Sequence, residues 1–177
     1  MSAASASASS PVEPTVEPTM YVIYKKNVEG ETKTFLRYFR DWSTILEDPM
    51  LQEHATILHC NDANLVEIPE DISKLRNLTE LNCANNNLIF LPETLAELEH
   101  LEELYIFNNK LMILPDEIGK LKKLNRIDAA YNMLDTLPES FAQLSGLRFL
   151  NFVHNNFQQI PHPLFYTHKL CAIVNSL

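Results

Sequence analysis

Three sets of residues have the types that chemistry needs. His59 stands beside Cys60, the pair that a cysteine nucleophile and its base would require. Neighbours along a strand face opposite ways, so in an extended stretch the two side chains do not meet. His154, His162, His168 and Cys171 are all metal-ligating types close in the chain, but their intervals match no compact zinc pattern. Acidic residues recur after prolines: Glu70 and Asp71 after Pro69, Glu93 after Pro92, Asp116 and Glu117 after Pro115, and Glu139 after Pro138. Carboxylates there suit the positive end of a short helix better than they suit general acid–base work. The three glycines, Gly30, Gly119 and Gly146, have no phosphate-loop spacing. The reading is no catalytic residue, no metal and no cofactor.

The regular spacing belongs instead to the elements that would position a binding surface. Pro69, Pro92, Pro115, Pro138 and Pro161 each follow a leucine or isoleucine and stand 23 residues apart. One unit reads Leu78, Leu81, Cys83, Asn86, Leu88, Leu91-Pro92, Leu95 and Leu98. The same phase recurs from Leu101, from Leu124 and from Leu147. Upstream, a degenerate unit from Ala55 has Ala63 where the others have asparagine, and downstream Leu170 and Ile173 open a unit that is not finished. Such a period predicts stacked coils, because one unit cannot bury its apolar side alone.

This pattern, LxxLxLxxNxL followed by xxLPxxIxxLxx, resembles the leucine-rich repeat in its 23-residue form. The resemblance implies an α/β solenoid, with a curved parallel sheet on the concave side and short helices or 3-10 turns on the convex side. It is similar to the repeats of Ras-pathway scaffolds, plant intracellular Ras-group proteins and bacterial effectors. Asn86, Asn109, Asn132 and Asn155 then form a structural ladder whose amides satisfy backbone groups at the turn. The prolines suit the first turn of each short helix.

Stacking the units lines up the outward-facing strand positions in columns. The first reads Ile57, Glu80, Glu103, Arg126, Phe149 and Ala172; the middle reads His59, Asn82, Tyr105, Asp128, Asn151 and Val174. The third reads Asn61, Ala84, Phe107, Ala130, Val153 and Ser176, with Asp62, Asn85, Asn108, Tyr131 and His154 at the rim. The third column is apolar although the repeat does not demand it, and solvent-facing apolar residues with aromatics mark protein interfaces. Tyr105, Phe107, Tyr131, Phe149 and Val153 are therefore the expected anchors, with Glu103, Arg126 and Asp128 setting orientation.

The remaining segments follow from composition. Residues 1–19, rich in serine, alanine and proline with a doubled VEPT, read as a disordered leader. Residues 20–54 read as an N-terminal cap, a hairpin around Asn27–Gly30 and then a helix with Phe35, Tyr38, Phe39, Trp42, Ile45 and Leu46 on one stripe. Residues 55–177 are the repeat domain, about five repeats plus a partial sixth. A formal charge of −9 argues against nucleic acid, and no apolar run reaches the roughly 18 residues of a membrane span. Three cysteines without a cysteine-rich cap point to reduced thiols and a cytoplasmic protein. The functional expectation is a non-catalytic protein-interaction module acting as scaffold or adaptor. The alternatives are a targeting subunit for a separate enzyme, an effector delivered into a host cell, and a self-associating structural protein.

Overall fold

In the computed structural model, residues 20–166 and 171–173 are described; the leader expected at 1–19 lies outside them. The chain opens with a hairpin, β1 (Met20–Val28) and β2 (Glu31–Phe39). The two-residue loop is possible because Glu29 and Gly30 both take positive φ, 55° and 86°, which matches the twist of the strands. The Gly30 N–H donates to Asn27 Oδ1 at 3.0 Å.

One helix through Phe35 and Leu46 is not what forms. Phe35–Phe39 lies in β2, and only Trp42–Leu46 is helical, as α1. The spacing of Phe35 and Phe39 fits a strand of period two as well as a helix, and pairing with β1 selects the strand: Phe39 is buried while Tyr38 is exposed. Asp41 caps α1 by accepting from the Thr44 N–H at 2.9 Å, and Asp48 caps α2 (Pro49–His54) by accepting from the Met50 N–H at 2.9 Å. Arg37 on β2 bonds Asp48 Oδ2 at 2.6 Å, tying this cap to the hairpin.

The hairpin joins the repeats through one sheet. β1 pairs antiparallel with β3 (Ala55–His59), and from β3 onward the strands run parallel as β4 (Glu80–Asn82), β5 (Glu103–Tyr105), β6 (Arg126–Asp128), β7 (Phe149–Asn151) and β8 (Cys171–Ile173). The register from β3 to β7 keeps the 23-residue step, as in Ile57, Glu80, Glu103, Arg126 and Phe149. At β8 the step shortens: Phe149 pairs with Cys171, not with Ala172, and Asn151 with Ile173, not with Val174. The last unit lacks the second apolar residue of the earlier turns, Thr167 standing where the preceding unit has Leu144. Ser176 lies outside the described residues.

Between strands run 3-10 helices: Glu70–Lys74, Glu93–Glu97, Ile118–Lys120, Glu139–Gln143 and His162–Tyr166. Each proline sits just ahead of its turn rather than inside it. Pro69, Pro92 and Pro138 are extended N-caps, and their carbonyls accept from the N–H three residues on, at 3.0, 3.1 and 2.9 Å. Fixed φ and a missing N–H suit a residue that must turn the chain without donating.

The core lies between sheet and turns. Leu58, Leu81, Leu104, Ile127 and Leu150 at the strand centres, and Ile72, Leu95, Ile118 and Phe141 on the turns, are fully buried. Each such side chain contributes about 2 kcal/mol of transfer free energy. Residue sizes compensate along the stack: Phe152 meets Phe141 and Phe157 at ring distances of 5.9 and 5.5 Å, while the preceding unit has Ala129 at the strand position of Phe152.

Candidate functional site

The strands present their alternate side chains on the face opposite the core. Across that face lie two linked groups of side chains. The Tyr21 hydroxyl, brought in by β1, hydrogen bonds His59 Nδ1, and His59 Nε2 meets Glu80 Oε1 at 2.7 Å. Farther along, the Tyr105 hydroxyl donates to Glu103 Oε2, Arg126 Nε lies 3.9 Å from that same oxygen, and the Arg126 guanidinium sits 4.0 Å above the Phe149 ring. Burial pushes the Tyr105 phenol up to about 12, helped by its bond to the Glu103 carboxylate. Burial, and then the Glu80 charge, likewise raise Tyr21.

The face is therefore less greasy than the sequence suggested. Ala84 and Ala130 are buried, so the third column is not a continuous apolar strip. An alanine methyl does not reach past larger neighbours, and Phe107 stands between these two in the column. Tyr105, Phe107, Phe149 and Val153 are half-buried, as are Glu103, Arg126 and Asp128. Asp128 also has a local duty: its Oδ1 accepts from the Ala130 N–H at 3.3 Å, as Asn82 and Asn151 accept from Ala84 and Val153 at 3.1 Å.

At the rim, Asp62, Asn85, Asn108, Tyr131 and His154 all have φ between 53° and 57°. This left-handed residue turns the chain inward and aims the ladder asparagine that follows. Asn109 shows the result: its Nδ2 donates to the carbonyls of Cys83, Ile106 and Phe107 at 3.0, 3.1 and 3.3 Å, while Oδ1 accepts from the Leu88 N–H at 3.0 Å. Asn86, Asn132 and Asn155 repeat the arrangement, each amide bridging its own unit and the one before. Asn86 additionally accepts from the Ala63 N–H at 3.1 Å, supporting the degenerate first unit.

Aspartate, asparagine and histidine visit a left-handed backbone more readily than other non-glycine residues; tyrosine does so with strain. Tyr131 and His154 are both exposed, and their rings lie 4.4 Å apart at 31°. His154 is thus a partner of Tyr131 that the choice of anchors left out. The signal was available: the rim position changes from Asp or Asn to an aromatic ring in two consecutive units. Tyr21 carried no such signal, because its approach to His59 depends on antiparallel pairing over 38 residues.

The residues with chemical potential are otherwise occupied. Cys60 is buried with its Sγ 2.8 Å from that of Cys83, and burial pushes the Cys83 thiol up, away from the thiolate that reactivity needs. The basic group Lys120, Lys122 and Lys123 lines a broad depression of about 990 Å³ with Arg76 and His100. Its ammonium groups are engaged locally, Lys120 with Glu117 at 2.9 Å, Lys122 with the Gly119 carbonyl at 2.7 Å and Lys123 with His100 Nδ1 at 2.6 Å. Among the described residues, no three His, Cys, Asp or Glu side chains cluster to hold a metal, and no helix is long and apolar enough to cross a membrane. His168 lies outside those residues.

Parallel strands in step, an asparagine ladder and proline-led 3-10 turns define a leucine-rich repeat solenoid. The family model described as Leucine Rich Repeat matches residues 77–98 and 100–121, and the chain is a leucine-rich repeat protein. Among solved structures it is similar to a leucine-rich repeat protein of Leptospira interrogans, at 34% identity and a TM-score of 0.62 over 63% of this chain. It is also similar to the plant peptide hormone receptor RGFR1 in complex with RGF2, at 31% identity and a TM-score of 0.53 over 60% of this chain. PEPR1 in complex with AtPEP1 matches at 28% identity and a TM-score of 0.55, again over 60% of this chain. The chain spans 29%, 18% and 16% of those three chains. No curated protein sequence matches it. Leucine-rich repeats are commonly protein-binding and generally non-catalytic.

Proposed function

We propose that this chain is a non-catalytic interaction module, a scaffold or adaptor, that holds a protein partner against the outer face of its parallel sheet. The observation that carries the reading is the rim pair. Tyr131 and His154 occupy left-handed positions where Asp62, Asn85 and Asn108 show what the backbone prefers, and both rings are exposed. The contact between the two rings at 4.4 Å contributes about 1 kcal/mol and offsets the strain at Tyr131, and an exposed aromatic pair at the rim favours contact with another molecule. Tyr105, Phe107, Phe149 and Val153 extend the contact inward, and Glu103 and Arg126, held against each other, orient the partner. RGFR1, similar to 60% of this chain over 18% of the receptor's own chain, was solved with RGF2, which supports a polypeptide ligand. Cys60 and Cys83, both free, support a reducing compartment such as the cytoplasm.

The test restores the rim consensus. Tyr131→Asn with His154→Asn relieves backbone strain of about 1 kcal/mol at position 131 and gives up a ring contact worth about as much, so the denaturation midpoint should stay level. Affinity for the partner, recovered by proximity labelling and then measured with purified proteins, should fall by about tenfold or more. A variant that keeps the partner at full affinity sinks the reading.

A further inference from the structure

A second surface lies on the flank where the chain leaves the ladder and heads for the 3-10 turns. Two residues there precede each Leu/Ile-Pro pair: Val66-Glu67, Ile89-Phe90, Met112-Ile113, Asp135-Thr136 and Gln158-Gln159. Stacking puts equivalent positions about 4.8 Å apart. Val66, Ile89, Phe90, Met112 and Ile113 are each at least half exposed and adjoin one another across three units. The two following units place polar residues at the same positions and have the same strand and turn, so the repeat does not require apolar residues here. Exposed apolar residues gathered in one place, with polar equivalents beyond, mark an interaction surface.

The surroundings identify what fits. Phe90 and Ile113 border a depression of about 220 Å³ whose lining includes Leu91, Pro92, Leu114 and Pro115, with Glu70 and Glu93 at its edge. Both carboxylates are held in place: Glu70 Oε2 accepts from Thr94 Oγ1 at 2.8 Å and Glu93 Oε1 accepts from the Asp116 N–H at 3.2 Å. Stretches 65–71, 88–93 and 111–117 carry Glu67, Glu70, Asp71, Glu93, Asp116 and Glu117; Asp71 is paired with Lys74 at 2.5 Å and Glu117 with Lys120 at 2.9 Å, which leaves Glu67, Glu70, Glu93 and Asp116 to face a partner. We infer that this flank docks a cationic amphipathic segment of a partner protein, apolar side chains entering between Phe90 and Ile113 and lysine or arginine meeting the glutamates. Membranes with anionic headgroups are repelled by the same carboxylates.

The probe is a short synthetic amphipathic peptide of leucine and lysine, set against leucine–glutamate and serine–lysine counterparts and titrated into the full, isotope-labelled chain. The leucine–lysine peptide alone should shift the amide signals of residues 89, 90, 112 and 113. Phe90→Gln with Ile113→Thr, which imitates the polar units, should weaken it by about tenfold or more, and Glu70→Gln with Glu93→Gln should weaken it most at low salt. Equal binding of the leucine–glutamate peptide, shifts centred on the sheet face, or unchanged affinity in the Phe90 and Ile113 variant would overturn the inference. So would self-association of the chain that the same variant abolishes, since a second copy would then cover the flank. Neither variant touches Tyr131 or His154, so failure here and failure of the sheet-face reading are separable.

Discussion

At the scale of single residues, position within the repeat sets what a side chain can do. Tyr105 and Tyr131 come from neighbouring units and are both aromatic, yet one is half-buried with its hydroxyl on Glu103 and the other is exposed at a left-handed rim. The difference is measurable for Tyr105, whose phenol titrates at about 12 when folded, against about 10 for a free tyrosine. Between those values the unfolded chain has released a proton that the folded chain keeps, so stability falls as pH rises through the window. In the difference between wild type and Tyr105→Phe, absorbance at the tyrosinate band should show a step near 12. A step near 10 would mean that neither the burial of the Tyr105 ring nor its Glu103 contact holds in solution. The ladder asparagines are the opposite case, since every polar atom they carry is used by the backbone around them.

Elements are held as much by close backbone approach as by side chains. Gly119 lies where two successive 3-10 turns meet, and a Cβ there would fall 2.0 Å from the Ser140 carbonyl oxygen. The approach is maintained by the Gly119 N–H on Ser140 Oγ at 3.2 Å and by Ser140 Oγ on the Asp116 carbonyl at 2.5 Å. Gly119→Ala should therefore lower the unfolding free energy by about 3 kcal/mol, by the reasoning that applies to overpacked interiors. Gly30→Ala, with open space but φ of 86°, should lose only about 1 kcal/mol. Equal denaturation midpoints for the two variants would contradict this packing of turn on turn.

For the whole molecule, the consequential feature is that one core runs from Met20 in the hairpin to Phe157 in the last complete unit. Repeat proteins couple through nearest neighbours, so a defect propagates only if every interface is strong. The single tryptophan, Trp42, lies in α1 beside the hairpin and reports on that end alone. Phe152→Ala, at the far end, removes a side chain worth about 3–5 kcal/mol. The urea transition followed by Trp42 fluorescence should move to lower concentration with that substitution and coincide with the transition in circular dichroism. A Trp42 transition that ignores Phe152 would show that the hairpin end unfolds by itself.

The sequence by itself determined the repeat: strand centres, ladder asparagines, proline-led turns and the outward columns from Ile57 to Phe149 all follow from a local period that each unit satisfies alone. What it left open depends on partners distant in the chain. Phe35–Phe39 suits helix or strand until β1 offers its backbone, Ala84 and Ala130 count as surface until a larger neighbour stands over them, and the pairing of β7 with β8 departs from the 23-residue step that the pattern continues. The row from Tyr21 to Glu80 and the apolar flank around Phe90 belong with these. Periodicity is written in backbone preference and apolar spacing, which act over a few residues; exposure and contact are set by side-chain size and strand pairing across units, which tertiary structure alone brings together.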